Sequence, residues 1–184
     1  MTGDRRAIIR RRALAKGLGL LPLALAMSPA RAAPPAPRTL SFYHTHTDER
    51  LTVTYFESGG YVPGALRAVD HLLRDFRTAT THVIDPRLLD QLYALTQCCG
   101  GRNFEVLSGY RSPQTNAMLR QTTAGVAAHS LHLEGRAIDV RLAGFDTAGL
   151  RRAAVAMARG GVGFYPQSDF VHLDTGRFRT WGAA

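Results

Sequence analysis

Apolar and polar residues alternate along two short stretches that begin near residue 40. Residues 40–44 and 51–56 are rich in aromatic and β-branched side chains and flank a polar turn. Alternation with a period of two is typical of half-buried strands, so these stretches predict a β-hairpin. Further apolar runs predict strands over residues 104–107, 137–142, 161–164 and 170–173.

Helical spacing of apolar residues marks four other segments. They cover residues 63–78, 86–98, 113–123 and 147–158. Proline stands at or near the start of the first three, and two glycines follow the second, as is common at helix ends. Because helices and short strands are mixed without strict βαβ alternation, the pattern favours an α+β fold.

The N-terminal 32 residues have the pattern of an export signal. Basic residues at 10–12 precede the apolar run 13–27, and the Ala-Arg-Ala sequence at 30–32 has the small-residue form of a signal-peptidase site. The apolar run is shorter than the roughly 20 residues that span a membrane. We therefore expect a signal peptide over residues 1–32, with an uncleaved membrane anchor as the alternative.

The arginine pair Arg11-Arg12 resembles a twin-arginine signal, which exports folded proteins. The proline-rich residues 33–38 then form a stiff spacer, and the working domain is expected over residues 39–184. We expect this domain to act in the periplasm as a monomer that meets the membrane only through the export signal.

Composition and charge argue against other classes of protein. The chain has 184 residues, 45% of them hydrophobic and 20% charged, which fits one globular domain. The net charge of +9 is concentrated in residues 1–32, which hold seven basic residues and one acidic residue. The remaining domain is only mildly basic, so we expect no nucleic-acid partner.

Histidines and aspartates in the C-terminal third have the spacing of a metal site. His132 and Asp139 are seven residues apart, with Gly135 between them to allow a bend. His172 and Asp174 lie two residues apart in a strand-like segment, so they share one face. Two imidazoles and one carboxylate are the ligands of a catalytic zinc site whose fourth position is left for water. A hydrogen-bonded His–Asp pair between two strands explains the same spacing without a metal.

Several motifs together extend this pattern over most of the chain. They are HT at 46–47, IDP at 84–86, SGYRS at 108–112, TN at 115–116, SLHLEGRAID at 130–139, GGVGFYP at 160–166 and FVHLDTG at 170–176. This set resembles the D-Ala-D-Ala-type zinc peptidases of the bacterial wall, and most closely the murein endopeptidase K (YcbK-like) family.

The resemblance implies a single zinc-dependent peptidase domain with the hedgehog/DD-peptidase fold, in which helices pack on a small antiparallel sheet. It also implies hydrolysis of peptide cross-links in peptidoglycan, most closely the L,D bond between two meso-diaminopimelate residues (3-3 cross-links). The alternatives are a D,D-carboxypeptidase or D,D-endopeptidase of the same clan, and a non-catalytic metal-containing peptidoglycan-binding module.

The resemblance also implies roles for individual residues. Carried over by position, the ligands of one zinc ion per chain are His132, Asp139 and His172. Arg111 matches an arginine that steadies the oxyanion or the substrate carbonyl, a role that suits its fixed N–H donors. The wider clan has an acid three residues before the last ligand histidine, and Asp169 occupies that position as the expected general base.

Four further residues are candidates on less direct grounds. Asp174 lies on the same strand face as the last ligand histidine, so it is expected either to orient that imidazole or to act as the base itself. His129 is expected to line the substrate cleft or to cap the preceding segment. Tyr110 and Tyr165 lie on loops expected to border the cleft, where they would contact substrate.

Overall fold

Eight strands form one mixed sheet in the described part of the chain. The computed structural model describes residues 35–100, 103–123 and 127–182, and these belong to one compact unit, Pro34–Ala184. The strands are β1 (Arg38–His44), β2 (Arg50–Glu57), β3 (Gly60–Tyr61), β4 (Phe104–Ser108), β5 (Ala137–Leu142), β6 (Gly161–Tyr165), β7 (Phe170–Asp174) and β8 (Arg179–Gly182). Their order is β3-β2-β1-β4-β5-β7-β6-β8, and only the pairs β1–β4 and β6–β8 are parallel.

In the described residues, four α-helices and one 3₁₀ helix connect the strands. They are α1 (Pro63–Leu72), α2 (Pro86–Cys99), α3 (Pro113–Thr122), α4 (Thr147–Met157) and the 3₁₀ helix Leu131–Glu134. Side-chain caps explain where three of the α-helices begin, because Asp85, Ser112 and Asp146 each accept a hydrogen bond from a backbone N–H of the first turn. Among the described residues, none of the helices has the length and apolar character that a membrane crossing requires.

The structure confirms the α+β class. Strands β1 and β2 form the predicted hairpin, with Phe42 opposite Leu51. The sheet is larger than the small antiparallel one expected, because the short edge strands β3 and β8 add to it and two strand pairs are parallel. The predicted signal peptide over residues 1–32 lies outside the described residues.

Helix α1 is shorter than predicted and ends at Leu72. Beyond it, the buried Asp75 accepts hydrogen bonds from the backbone N–H groups of Arg77 and Ser112 and from the Ser112 hydroxyl. An aspartate that bonds backbone groups in this way competes with helix formation. Residues 73–78 are therefore not helical, although their apolar spacing matches that of a helix.

The hydrophobic core lies between the sheet and helices α1, α2 and α4, which pack on it. On the central strand β5, the side chains of Ile138, Val140 and Leu142 belong to this core. Because side chains alternate along a strand, Asp139 faces the opposite side of the sheet. It is nevertheless only 3% exposed, so the second face of β5 is also covered, and the candidate site lies there.

Candidate active site

Strand register brings Asp139 and His172 together. In the antiparallel pair β5–β7, Asp139 lies directly opposite His172. The same row continues across the sheet through Ser108 on β4, Gly163 on β6 and Trp181 on β8. Directly paired residues present their side chains on one face with neighbouring Cβ atoms, so the register alone places a carboxylate beside an imidazole.

His132 reaches the same place from the 3₁₀ helix that precedes β5. Gly135 ends this helix in the left-handed region, with φ of 65°, which provides the bend expected from the sequence. The His132 ring is held by a 2.6 Å contact between Nδ1 and the carbonyl oxygen of Gly109. Since a carbonyl only accepts, Nδ1 carries the proton and Nε2 is left with its lone pair.

Three ligand-type atoms converge at this point. His132 Nε2 lies 3.1 Å from His172 Nδ1 and 3.3 Å from Asp139 Oδ1, and His172 Nδ1 lies 2.8 Å from Asp139 Oδ1. The three residues are 1%, 8% and 3% exposed, in the order His132, His172 and Asp139. They form a group that could hold a metal ion, the only such group of three or more found among the described residues.

Asp174 holds the second histidine in place. Its Oδ2 lies 3.2 Å from His172 Nε2, so His172 donates a hydrogen bond there and keeps Nδ1 for the cluster. The Asp174 carboxylate also accepts from the backbone N–H groups of Gly161 and Gly176 and from both terminal nitrogens of Arg179. A carboxylate behind a ligand imidazole is the usual arrangement that fixes its tautomer and orientation.

Burial and charge set the pKa of each ligand-type group. Burial lowers the pKa of His132, and Asp139 opposes this shift without cancelling it. Burial acts to raise the pKa of Asp139, but its contacts with His132, His172 and Arg111 hold it well below its usual range. Neutral imidazole and ionised carboxylate are the forms that bind metals.

The pKa of His172 shifts in the opposite direction from that of His132, because two carboxylates face the His172 ring. Burial acts to lower its pKa, but the hydrogen bonds with Asp139 and Asp174 raise it. Burial also acts to raise the pKa of Asp174, yet its hydrogen bonds with His172, Arg179 and two backbone N–H groups lower it. Asp174 is therefore an ionised partner for the His172 ring.

Arg111 lies beside the cluster, as expected. Its guanidinium donates to Asp139 Oδ2 and, through Nε at 3.0 Å, to the Ser108 hydroxyl. Its backbone N–H donates to the carbonyl oxygen of His132. The SGYR loop thus contacts two of the three ligand-type residues.

The structure does not bring Asp169 to the cluster. Asp169 has φ of 51° in the turn before β7, and its carboxylate accepts from the Thr147 hydroxyl at 2.8 Å and pairs with Arg141 at 3.3 Å. The side chain is 62% exposed and does not line the cavity beside the cluster. The turn directs this carboxylate toward α4, so its geometry offers no support for a role as general base.

The three substrate-side candidates have different positions. His129 is exposed and lines the cavity. Tyr165 lines it too, and its hydroxyl accepts a hydrogen bond from the indole N–H of Trp181. Tyr110 is only 7% exposed and stacks on His82 with ring centroids 4.7 Å apart. Tyr110 therefore packs inside the protein and does not border the cavity.

The cluster opens into a cavity of about 710 Å³. Its lining includes several residues that were not predicted as site residues, among them Arg77, Ser108, Arg179 and Trp181. The Trp181 ring lies 5.1 Å from the His172 ring. The sequence offers one signal for Trp181, which is that it is the single tryptophan of the chain. Arg179 and Trp181 lie on β8, a strand that the apolar pattern did not reveal.

Comparison with known proteins agrees with the motif pattern. The sequence profile of a family described as peptidoglycan L,D-endopeptidase MepK matches residues 32–181. A peptidoglycan L,D-endopeptidase MepK from Escherichia coli K12 is 42% identical over 175 residues, which are 94% of this chain and 96% of the relative. A probable peptidoglycan L,D-endopeptidase MepK from Haemophilus influenzae is 41% identical over 170 residues, which are 91% of this chain and 90% of the relative.

Proposed function

Because the chain belongs to the peptidoglycan L,D-endopeptidase MepK family, we propose that it is a zinc-dependent peptidase that hydrolyses peptide cross-links of peptidoglycan. The proposed bond is the L,D bond between two meso-diaminopimelate residues. The observation that carries the proposal is the buried convergence of His132 Nε2, Asp139 Oδ1 and His172 Nδ1 within 3.3 Å of one another.

The donor set of this cluster fits zinc. Zinc binds imidazole nitrogen and carboxylate oxygen, and catalytic sites use three protein ligands. Both imidazoles already donate their other N–H, His132 to Gly109 and His172 to Asp174, which is the usual support for metal ligands. When bound, zinc would supply Lewis-acid polarisation of a carbonyl and a lowered pKa of water.

The surrounding residues orient the ligand side chains and stabilise negative charge that develops on the substrate. Asp174 is proposed as a positioning residue, because all its contacts serve to hold His172 and to satisfy nearby donors. Arg111 is proposed to donate hydrogen bonds to the substrate carbonyl oxygen as it gains negative charge, since its planar group has more donors than Ser108 and Asp139 use. His129 and Tyr165 are proposed to contact the substrate from the cavity wall.

An asparagine variant of Asp169 tests whether this residue is the general base. A residue that takes the proton in the reaction is worth about 10²–10⁴-fold in rate and can be replaced without loss of metal. For Asp169→Asn we expect a rate close to that of the unchanged protein, because this carboxylate is held by Thr147 and Arg141. A loss of about 10²-fold or more with zinc retained would identify Asp169 as the base.

The site of action is proposed to be the periplasm, with the protein exported as a monomer through residues 1–32. The Arg11-Arg12 pair, the apolar run and the small residues at 30–32 support this proposal. Cell fractionation of the full chain tests it, with Arg11→Lys/Arg12→Lys as the variant. The altered protein should stay in the cytoplasm if the arginine pair is the export signal.

Purified muropeptide dimers test the activity. The protein is incubated with dimers that carry either a diaminopimelate–diaminopimelate or a D-Ala–diaminopimelate bond, with and without a zinc chelator, and products are separated by chromatography. We expect chelator-sensitive conversion of the first dimer to monomers, restored by added zinc and lost with the metal in His132→Ala. Cleavage of only the second dimer would replace the L,D assignment by a D,D one. Bound zinc without cleavage would favour a binding module.

A further inference from the structure

Three arginines line the cavity beside the ligand cluster, and among the described residues two of them have an anionic partner. Arg111 pairs with Asp139, and Arg179 pairs with Asp174. The guanidinium of Arg77 makes no hydrogen bond or ion pair with any residue in the described part of the chain. Within the part of the chain that the structure describes, the cavity wall therefore presents one guanidinium without an anionic partner.

The Arg77 side chain is held on an aromatic support. Its guanidinium carbon lies 4.2 Å from the centroid of the Phe76 ring. The Phe76 ring itself stacks on His46, with centroids 4.2 Å apart and an interplanar angle of 12°. An arginine placed on an aromatic face loses less conformational freedom when it binds a ligand than a fully mobile one does.

The backbone of Arg77 is tied to the Arg111 loop as well. Asp75 Oδ1 accepts from the Arg77 backbone N–H at 3.0 Å, while Asp75 Oδ2 accepts from the Ser112 backbone N–H at 2.8 Å and from its hydroxyl at 2.6 Å. Asp75 is 1% exposed. One buried carboxylate thus fixes the segment of Arg77 relative to the residue that follows Arg111.

The chemistry of the proposed substrate matches a fixed guanidinium. Guanidinium groups bind carboxylates through two parallel N–H···O bonds. In a bond between the L-centre carbonyl of one diaminopimelate and the D-centre amine of the next, the D-centre carboxylate of each residue stays free. The cross-link therefore offers a carboxylate on both sides of the bond to be cleaved.

We propose that Arg77 is a specificity-determining residue that binds a free D-centre carboxylate of the diaminopimelate cross-link. The proposal rests on the proposed function and adds to it the part of the substrate that this residue recognises. Arg77 contributes binding and selectivity, whereas the ligand cluster and Arg111 act at the bond that is cleaved.

Substitution of Arg77 tests the proposal. For Arg77→Gln we expect kcat/KM on the diaminopimelate dimer to fall about 10–100-fold, mainly through KM, which is the usual effect of losing a hydrogen-bonded charge. The kcat/KM of Arg77→Lys should lie between those of the unchanged protein and Arg77→Gln, because lysine keeps the charge and loses the planar pair of donors. Zinc content and melting temperature should match those of the unchanged protein in both variants.

Arg50→Gln is the matched control. The Arg50 guanidinium also stacks on an aromatic ring, at 4.2 Å from the Tyr43 centroid, but Arg50 does not line the cavity. Its replacement should leave kcat/KM unchanged. An equal loss in both variants would show that general surface charge, and not the cavity position, is responsible, and would overturn the proposal.

Amidated substrates identify the carboxylate. Dimers with the D-centre carboxyl amidated on the acyl side or on the amine side are compared with the free acid. The unchanged protein should lose about 10–100-fold on one of the two amides, and Arg77→Gln should not distinguish that amide from the acid. If the protein cleaves the free acid and both amides equally well, or if Arg77→Gln cleaves the free acid normally, this inference fails while the proposed function stands. If the unchanged protein cleaves no dimer, both fail.

Discussion

His172 Nε2 lies 3.2 Å from Asp174 Oδ2, two residues further along the same face of β7. This contact decides which nitrogen of the ring is free, because the protonated Nε2 points to Asp174 and Nδ1 points to Asp139 and His132. The pair therefore fixes the orientation in which the His172 ring on β7 faces the cluster.

Replacing Asp174 by asparagine should weaken metal binding. The amide NH₂ would face groups that now donate to the carboxylate, namely Arg179 and the backbone N–H groups of Gly161 and Gly176. Loss of such a partner lowers metal affinity by about 10–100-fold. Titration against a competing zinc chelator measures this effect. Asp169→Asn is the matched control and should keep full affinity, and equal affinities for both variants would contradict the positioning role.

Gly163 should resist substitution because an indole covers it. A Cβ atom at this position would lie 2.7 Å from Cε2 of Trp181, whose N–H donates to the Tyr165 hydroxyl at 2.9 Å. Gly163→Ala should therefore displace the ring and cost about 1–3 kcal/mol of unfolding free energy. Because Trp181 is the only tryptophan, its emission spectrum should shift as well.

Gly60 provides the control for that experiment. A Cβ atom added there meets nothing within 4 Å, so Gly60→Ala should leave stability and tryptophan emission close to those of the unchanged protein. If Gly163→Ala unfolds at the same denaturant concentration as Gly60→Ala, the position of the Trp181 indole does not require a glycine at residue 163.

Local rules account for the placement of two of the three ligand-type residues, Asp139 and His132. Strand alternation separates Asp139 from its core-facing neighbours, and a glycine in the left-handed region ends the turn that carries His132. The motif pattern identified the same residues together with His172. The three residues were therefore named from the sequence, whereas their convergence depends on the pairing of β5 with β7.

The positions of Asp169, Arg179 and Trp181 depend on contacts between distant segments. The direction of the Asp169 side chain is set by a turn with φ of 51° and by bonds to Thr147 and Arg141. Arg179 and Trp181 reach the site because β8 pairs in parallel with β6. Neither arrangement leaves a periodic signal in the local sequence, so pattern analysis could not find it.

Asp75→Asn should destabilise the protein although Asp75 is not a ligand-type residue. Burial acts to raise the pKa of Asp75, but hydrogen bonds from Ser112, Thr115 and the Arg77 backbone lower it to about 2. Losing a charged acceptor that serves buried donors costs about 1–3 kcal/mol. Urea denaturation at pH 7 measures this cost. Asp48→Asn, which alters an exposed aspartate bonded to Tyr43, should stay within about 0.5 kcal/mol.

The pH dependence of the same pair of proteins gives a second test. The folded-state pKa of Asp75 lies below its ordinary value of 3.8, so its contribution is complete above pH 4 and is lost as the pH falls toward 2. The difference in unfolding free energy between the unchanged protein and Asp75→Asn should therefore shrink over that interval. A difference that stays constant with pH would contradict the shifted pKa.

His44 should make the protein less stable in weak acid. It is 0% exposed, its Nε2 has no hydrogen-bond partner among the described residues, and burial together with the charge of His46 lowers its pKa to about 4, with Glu49 and Arg74 acting in opposite directions. The unfolded chain, with a pKa of 6.5 for this group, takes up the proton first as the pH falls. The contribution of neutral His44 is therefore complete above pH 6.5 and is lost between pH 6.5 and 4.

His44→Phe isolates this effect, because phenylalanine fills a similar volume beside Phe76, whose ring lies 5.6 Å from that of His44, and cannot titrate. The shift in pKa corresponds to about 3 kcal/mol in total. Urea denaturation of both proteins from pH 7.5 to 4 measures it. The unfolding free energy of the unchanged protein, relative to the variant, should fall by about that amount. Parallel curves would mean that His44 titrates alike in the folded and unfolded states, and would remove burial as the cause of acid sensitivity.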